Sequence, residues 1–118
     1  WMGVARGVDL FDCVLPTRLA RNGALFTTDG RVNINQRRWR DHHAPLFVEC
    51  DCPACSRFTA AYLHHIFRAG EILGLRLATL HNLRFMAREM ESIRAAIEQG
   101  TFASANRAFH DRYVPIQA

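Results

Sequence analysis

The sequence predicts a small α+β domain, and three observations along the chain lead to that fold class. A short, mostly apolar run spans residues 8–15 and stops at Pro16, as is typical of a buried parallel strand. Turn-forming Asn-Gly and Asp-Gly pairs follow at 22–23 and 29–30. Beyond residue 58, apolar side chains recur at helical spacing. The predicted order is therefore one strand, a turn-rich basic middle segment and a helical second half.

A β-hairpin is predicted in the middle segment. Its strands are residues 24–28 and 31–35, and the Asp-Gly pair at 29–30 lies between them. Because Asp-Gly favours the tight primed turns that match strand twist, this pair is a strong local signal for a hairpin.

Three helices are predicted after the hairpin. The first covers residues 59–73, with Gly74 as its C-terminal stop. The second runs from about residue 80 to residue 99, and Thr101 then caps a last helix. We interpret the apolar stripe of the second helix as core, and it consists of Leu83, Met86, Met90, Ile93 and Ile97.

Length and composition limit the possible classes of protein. The chain has 118 residues, enough for one domain that buries about two-thirds of its unfolded surface. Hydrophobic residues make up 49% and charged residues 22%, which argues against a disordered chain. No apolar run approaches the ~18 residues of a membrane span, and no secretory pattern is present. We therefore expect a cytoplasmic protein with no membrane partner.

The charge balance is basic. Fifteen basic residues, all of them Arg, stand against eleven acidic ones and give a net charge of +4. Arginine suits phosphates and base edges, so the excess permits a nucleic-acid partner. A GC-rich genome that replaces Lys with Arg explains the missing lysine at least as well.

Three cysteines are clustered at positions 50, 52 and 55. Cysteines separated by one and two residues in a turn can direct three thiolates at one zinc ion. A disulfide is disfavoured because Cys50 and Cys52 are too close for relaxed geometry and one thiol would be left over. Spacing alone leaves the fourth ligand open among His42, His43, His64, His65 and His81.

Asp12 lies inside the apolar run of the predicted strand. An ionised carboxylate is costly there unless it is paired or lies at the open end of the strand. At such an end it could act as a nucleophile toward a sugar anomeric carbon, or it could be a structural Asp bonded to a loop amide. Cys13 beside it is interpreted as a small core residue.

Two groups of arginines could contact nucleic acid. Arg18 and Arg21 come just after Asp12, where they could hold phosphates or base edges or simply be solvated. The second group surrounds Trp39, whose ring could stack on a base, although a plain exposed loop is the favoured interpretation. Its members are Arg31, Arg37, Arg38 and Arg40.

Several motifs occur together in a specific order. Phe-Asp-Cys-Val-Leu-Pro-Thr-Arg at 11–18 is followed by Cys-x-Cys-x-x-Cys at 50–55 and by His-Asn at 81–82. Shorter motifs lie at 5–10, 20–23, 61–65 and 71–74. In this combination the chain resembles the tRNA-guanine transglycosylases, the bacterial queuine tRNA-ribosyltransferase family, from Val4 nearly to its end.

The resemblance implies a fold and an assignment of segments. The family fold is a (β/α)8 TIM barrel with a zinc subdomain inserted before its last helix. Residues 4–23 would be the last barrel strand with the catalytic and RNA-recognition loop. Residues 24–80 would be the zinc-binding insertion, and residues 81–118 the closing barrel helix with the C-terminal helix.

The resemblance also implies a reaction, a metal and partners. Asp12 would be the nucleophile that replaces the wobble guanine of tRNA by a 7-deazaguanine, preQ1 in bacteria, and one structural zinc would be held per chain. The parent enzyme would be a homodimer that recognises the anticodon loop. Since a barrel needs ~250 residues, we expect this chain to be a C-terminal piece without activity by itself. The implied RNA-binding residues are Thr17, Arg18, Leu19, Ala20 and Arg21, and the implied zinc ligands are Cys50, Cys52, Cys55 and His81.

Overall fold

The computed structural model describes residues 1–115, and a long helix near the C-terminus is the element on which most of the others pack. A short 3-10 turn, Arg37–Trp39, precedes the cysteine segment. The other elements are α1 (Met2–Ala5), α2 (Leu15–Arg21), β1 (Ala24–Thr27), β2 (Gly30–Asn33), α3 (Pro53–Arg57), α4 (Ala60–Arg68), α5 (Ile72–Glu98) and α6 (Phe102–Arg112).

The predicted hairpin is confirmed, with slightly shorter strands. β1 and β2 pair antiparallel, from Ala24 opposite Asn33 to Thr27 opposite Gly30. Gly30 has a φ of +140°, and a Cβ at this position would collide with the carbonyl oxygen of Val114. The glycine of the Asp-Gly pair therefore serves both the turn and the close approach of the C-terminal segment.

The predicted strand at residues 8–15 is wrong for this chain. Residues 8–14 form neither helix nor strand, and Leu10 is 90% exposed. Within residues 1–115 the only sheet is the hairpin, so this segment has no strand to pair with. Pro16 lies in the first turn of α2, where a missing N–H costs nothing, so it begins a helix where we expected it to break a strand.

The predicted boundary between the first two helices is also wrong. α4 ends at Arg68, and the chain turns at Gly70, which has a φ of +72°. Gly74 lies buried inside α5, where an added Cβ would come within 3.1 Å of Phe67 Cδ2. This glycine allows α4 and α5 to pack closely, and it does not end a helix. The segment boundary expected at 80/81 falls within the continuous helix α5.

The apolar stripe of α5 is mostly on its exposed side, which contradicts its interpretation as core. Leu83, Met86 and Ile97 are exposed, Met90 is partly buried and only Ile93 is buried. The inward face carries polar residues among the apolar ones, and it consists of Gly74, Leu77, Ala78, His81, Asn82, Phe85, Ile93 and Ala96. Hydrophobicity alone cannot identify this face because two of its central positions are polar.

The last helix begins where it was predicted. Thr101 occupies the N-cap position of α6, but its hydroxyl donates to the Ala96 carbonyl and accepts no cap bond. Among the described residues, no helix is both long and apolar enough to cross a membrane. The main core is shared between α2, the hairpin, the cysteine segment, α4 and the first half of α5.

Candidate metal centre and the loop beside it

The cysteine segment forms a tight knuckle under α5. Cys52 is the N-cap of α3 and has extended backbone angles, and Pro53 follows at the first helical position. The amide of Cys55 donates to the Cys52 carbonyl at 3.1 Å, which turns the chain so that both sulfurs face the same side. Cys50 reaches this side from the preceding loop, and all three cysteines are buried.

His81 of α5 meets the three sulfurs. Its Nδ1 lies 3.7 Å from the Sγ of Cys50, 3.5 Å from that of Cys52 and 3.4 Å from that of Cys55. In a tetrahedral zinc site with ordinary Zn–S and Zn–N bonds, a sulfur and a nitrogen are about 3.6 Å apart. The four ligand atoms all lie within 4.8 Å of one another, so their spacing fits one zinc ion.

The tautomer of His81 also suits a metal. Its Nε2 lies 2.7 Å from the carbonyl oxygen of Phe26 on β1, which can only accept. Nε2 therefore carries a proton and donates, so Nδ1 is the ring nitrogen on the sulfur side that can bind a metal once it is deprotonated. A backbone carbonyl behind a ligating histidine is the usual outer-shell partner in zinc sites.

The electrostatics of the sulfur cluster favour a bound cation. Hydrogen bonds from Cys52 and then Cys55 lower the pKa of the Cys50 thiol, whereas bonds to Cys50 and then Cys52 raise the pKa of Cys55. The thiolate of Cys50 is thus favoured, and that of Cys55 is opposed. Burial lowers the pKa of His81, but bonds with Cys50 and Cys52 and with the Phe26 carbonyl outweigh it and raise the pKa to about 9. A divalent cation would replace these shared protons.

The remaining histidines and the fourth cysteine are not at this centre. His42, His43 and His65 are exposed, and His64 bonds the Ile34 carbonyl at 2.7 Å. Cys13 is exposed, so its interpretation as a core residue is wrong. The cause is the missing strand pairing, which leaves the whole 8–14 segment on the surface. All four cysteines are free thiols, as the argument against a disulfide predicted.

Asn82 is the site residue to which our sequence reasoning gave no role. It is fully buried, and its Oδ1 accepts from the Phe26 amide at 3.0 Å. Its Nδ2 donates to the carbonyls of Pro16 at 2.9 Å and Ala24 at 3.0 Å. Asn82 therefore connects α5 to both the start of α2 and strand β1. A carboxamide beside a candidate metal ligand, on an otherwise apolar helix face, was the available signal.

The outer side of the knuckle is fixed to α5 by charged contacts. Arg84 forms a bidentate salt bridge with Asp51 at 2.7 and 3.0 Å, and it also forms a salt bridge with Glu91 at 2.9 Å. The hydrogen bond from Arg84 holds the pKa of Asp51 below its usual value. Arg88 donates to the Glu49 carbonyl. These contacts are largely solvent-exposed, so they orient the loop more than they stabilise the fold.

The segment with the candidate nucleophile lies beside α2. Asp12 is exposed, and within residues 1–115 its carboxylate accepts no hydrogen bond from a loop amide. The alternative of a structural Asp therefore gains no support. The backbone after Asp12 is ordered by Thr17, whose hydroxyl donates to the Val14 carbonyl at 3.0 Å, and by the Leu15 amide, which donates to Cys13 Sγ.

The predicted RNA-binding segment has two sides. Arg18 and Arg21 are exposed near the C-terminal end of α2. Thr17 and Leu19 are partly buried, and Ala20 is completely buried in the core. Only the two arginines of this segment thus present charged side chains to solvent, and the connection from Asn82 to Pro16 anchors the start of their helix.

The buried Cys3His group and the small α+β fold define a domain with the ligand set of a structural metal site. A family model described as "Queuine tRNA-ribosyltransferase" matches residues 1–115. The chain belongs to this family.

Curated relatives agree with the family match. The queuine tRNA-ribosyltransferase of Herpetosiphon aurantiacus is 61% identical over 102 residues, which cover 86% of this chain and 26% of the relative. Those of Symbiobacterium thermophilum and Thiobacillus denitrificans are 50% and 55% identical, over 94% and 91% of this chain and 28% and 29% of theirs. The chain therefore spans between a quarter and a third of the length of these relatives.

Proposed function

We propose that this chain is the C-terminal part of a tRNA-guanine transglycosylase and that it carries the nucleophile and a structural zinc. The family match supports the reaction class. The four convergent ligand atoms support the zinc site, and the exposure of Asp12 supports its availability to a substrate. The full-length enzyme would exchange the wobble guanine of tRNA for a 7-deazaguanine such as preQ1.

The proposed reaction proceeds in two displacements at one carbon. A carboxylate oxygen of Asp12 attacks C1′ of the ribose, the bond from C1′ to guanine breaks, and guanine leaves with the electron pair. A ring nitrogen of the incoming 7-deazaguanine then attacks C1′, loses its proton and releases the carboxylate. Two inversions retain the configuration, as in retaining glycosidases. Proton transfer to and from the bases needs a further acid–base group, which we assign to barrel strands outside this chain.

The zinc would be structural in this proposal. Four protein ligands fill a tetrahedral coordination shell and leave no position for a water or a substrate. Cys50, Cys52 and Cys55 would connect the knuckle to His81 through the metal. Asn82, the next residue on α5, connects this helix to the start of α2. The isolated chain is expected to lack exchange activity, because the acid–base group that both displacements need is assigned to barrel strands outside this chain.

The nucleophile assignment is tested by Asp12→Asn in the full-length parent enzyme. An amide is a poor nucleophile, so guanine exchange into tRNA should fall by at least about a thousandfold, while zinc content and tRNA affinity stay the same. The readout is incorporation of labelled guanine. Asp9→Asn, three residues earlier in the same exposed segment, is the matched control and should keep its activity. Exchange at the parent rate by the Asp12 variant would remove the assignment.

The RNA contact is tested with the zinc-loaded chain and a tRNA anticodon stem-loop. Arg18→Ala with Arg21→Ala should weaken binding several-fold and lower the salt dependence by about one counterion for each lost phosphate contact. Fluorescence anisotropy at several salt concentrations measures both. Arg107→Ala, an exposed arginine on α6, controls for the loss of charge. Equal weakening in all of these variants would show that only net charge matters.

A stand-alone zinc-stabilised RNA-binding module is the second candidate function. The net charge of +4 and the exposed arginines favour it. It differs from the first candidate in one outcome, because it predicts that the isolated chain binds the stem-loop as tightly as the full-length enzyme does.

A further inference from the structure

A basic pocket is built by elements other than α2, which carries Arg18 and Arg21. The 3-10 turn and helix α4 border a surface cavity of about 510 Å³. A cavity of this size can hold a ligand as large as a nucleotide and exceeds what a single small ion needs. The polar residues that line it are Asn35, Arg37, Arg40, His64, His65 and Arg68.

The three guanidinium groups of this pocket have no acidic partner. No carboxylate lines the cavity, and in the described part of the chain Arg37, Arg40 and Arg68 form no ion pair. Arg84, by contrast, is neutralised by Asp51 and Glu91. Three like charges around one cavity repel each other, so an anion placed between them would relieve that repulsion.

Two histidines, His64 and His65, also line the pocket. His64 Nδ1 donates to the Ile34 carbonyl at 2.7 Å, which fixes its ring and leaves Nε2 free to contact a ligand. His65 is exposed next to it, and Ala61, one turn before it on α4, leaves room above the helix. An imidazole face is a surface on which an unstacked base can lie.

We propose that this pocket binds the phosphate group of a nucleotide unit. Arginine forks pair with phosphate through two parallel hydrogen bonds, and a phosphate offers acceptor oxygens to more than one guanidinium at once. Arg37, Arg40 and Arg68 bind the phosphate, and His65 lies against the base. The unit belongs either to an RNA strand or to a free nucleotide. The RNA source rests on the proposed function, whereas the phosphate site itself does not.

The experiment compares two triple variants of the zinc-loaded full chain. R37Q/R40Q/R68Q removes the pocket charges, and R57Q/R94Q/R107Q removes three exposed arginines elsewhere. The probes are inorganic phosphate, guanosine monophosphate and a tRNA anticodon stem-loop. Binding is followed by anisotropy for the RNA and by the imidazole NMR signals of His64 and His65 for all three. Zinc content and the thermal transition show that both variants are folded.

The pocket variant is expected to bind guanosine monophosphate and the stem-loop at least about tenfold more weakly than the control variant does. The imidazole signals should also stop responding to phosphate. Loss of nucleotide binding with unchanged RNA binding would keep the phosphate site and overturn the RNA source. Equal weakening in both triple variants, or no imidazole response to any probe, would overturn the site. Either of these two outcomes is compatible with the proposed function if substitution of Arg18 and Arg21 still weakens RNA binding.

Discussion

Replacing Cys52 with serine is expected to abolish zinc binding and cooperative folding of this chain. A structural zinc supplies about 10–16 kcal/mol in small zinc-binding domains, while a whole domain is stable by only ~5–15 kcal/mol. The three cysteines lie in the main core, and His81 is fully buried and bonded to β1, so the loss reaches α3, α5 and the hairpin together. A strong chelator should have the same effect on the unchanged chain. Circular dichroism on heating and zinc stoichiometry are the measurements.

Cys13→Ser is the matched control for that experiment. It makes the same chemical change at an exposed cysteine outside the cluster. It should retain one zinc per chain and the parent melting temperature. A Cys52→Ser chain that still binds one zinc and melts as the parent does would refute the structural role of the metal.

Replacing Asn82 with leucine is expected to give the second largest effect. The substitution keeps the number of side-chain heavy atoms, but it leaves the buried Phe26 amide without a partner and removes one hydrogen bond from each of the Pro16 and Ala24 carbonyls. The unsatisfied amide costs about 1–3 kcal/mol and each lost carbonyl contact about 0.5–1.5 kcal/mol, so the total is about 3 kcal/mol, or roughly 10 °C in melting temperature. In the full-length enzyme the exchange rate should fall as well, because α2 loses the anchor at Pro16.

Asn106→Leu separates this effect from a general intolerance of leucine. In the described part of the chain, Asn106 Oδ1 is the one buried side-chain polar atom without a hydrogen-bond partner. The substitution removes that orphan atom and should leave stability equal or slightly higher. Similar melting temperatures for the two variants would mean that the Asn82 carboxamide does not connect the elements.

Local chemistry made part of the fold predictable. The hairpin follows from Asp29 and Gly30, because the conformation of a tight turn is determined by the residues that form it. The cysteine spacing indicated a metal knuckle, and the structure brings the three sulfurs together with His81. The choice of that histidine came from the family resemblance, because the contact joins residues 26 or more positions apart that spacing cannot relate.

The failed predictions share a physical cause. The run at 8–15 has strand composition, but a strand exists only with a partner to pair with. Gly74 has the composition of a helix stop, but here it allows α4 and α5 to approach. Leu83 and Met86 follow a helical stripe, yet the inward face contains Asn82, whose hydrogen bonds compensate its burial. Each outcome depends on a tertiary contact that the local sequence does not specify.

X-ray absorption at the zinc edge of the zinc-loaded chain tests the central claim most directly. The account predicts one zinc per chain with three sulfur ligands at about 2.3 Å and one nitrogen ligand at about 2.0–2.1 Å. In His81→Ala the affinity for zinc should fall, and the zinc that still binds should keep the three sulfurs and lose the outer-shell scattering of an imidazole ring. A parent spectrum with two sulfurs, with bound water oxygen, or unchanged in His81→Ala would contradict it.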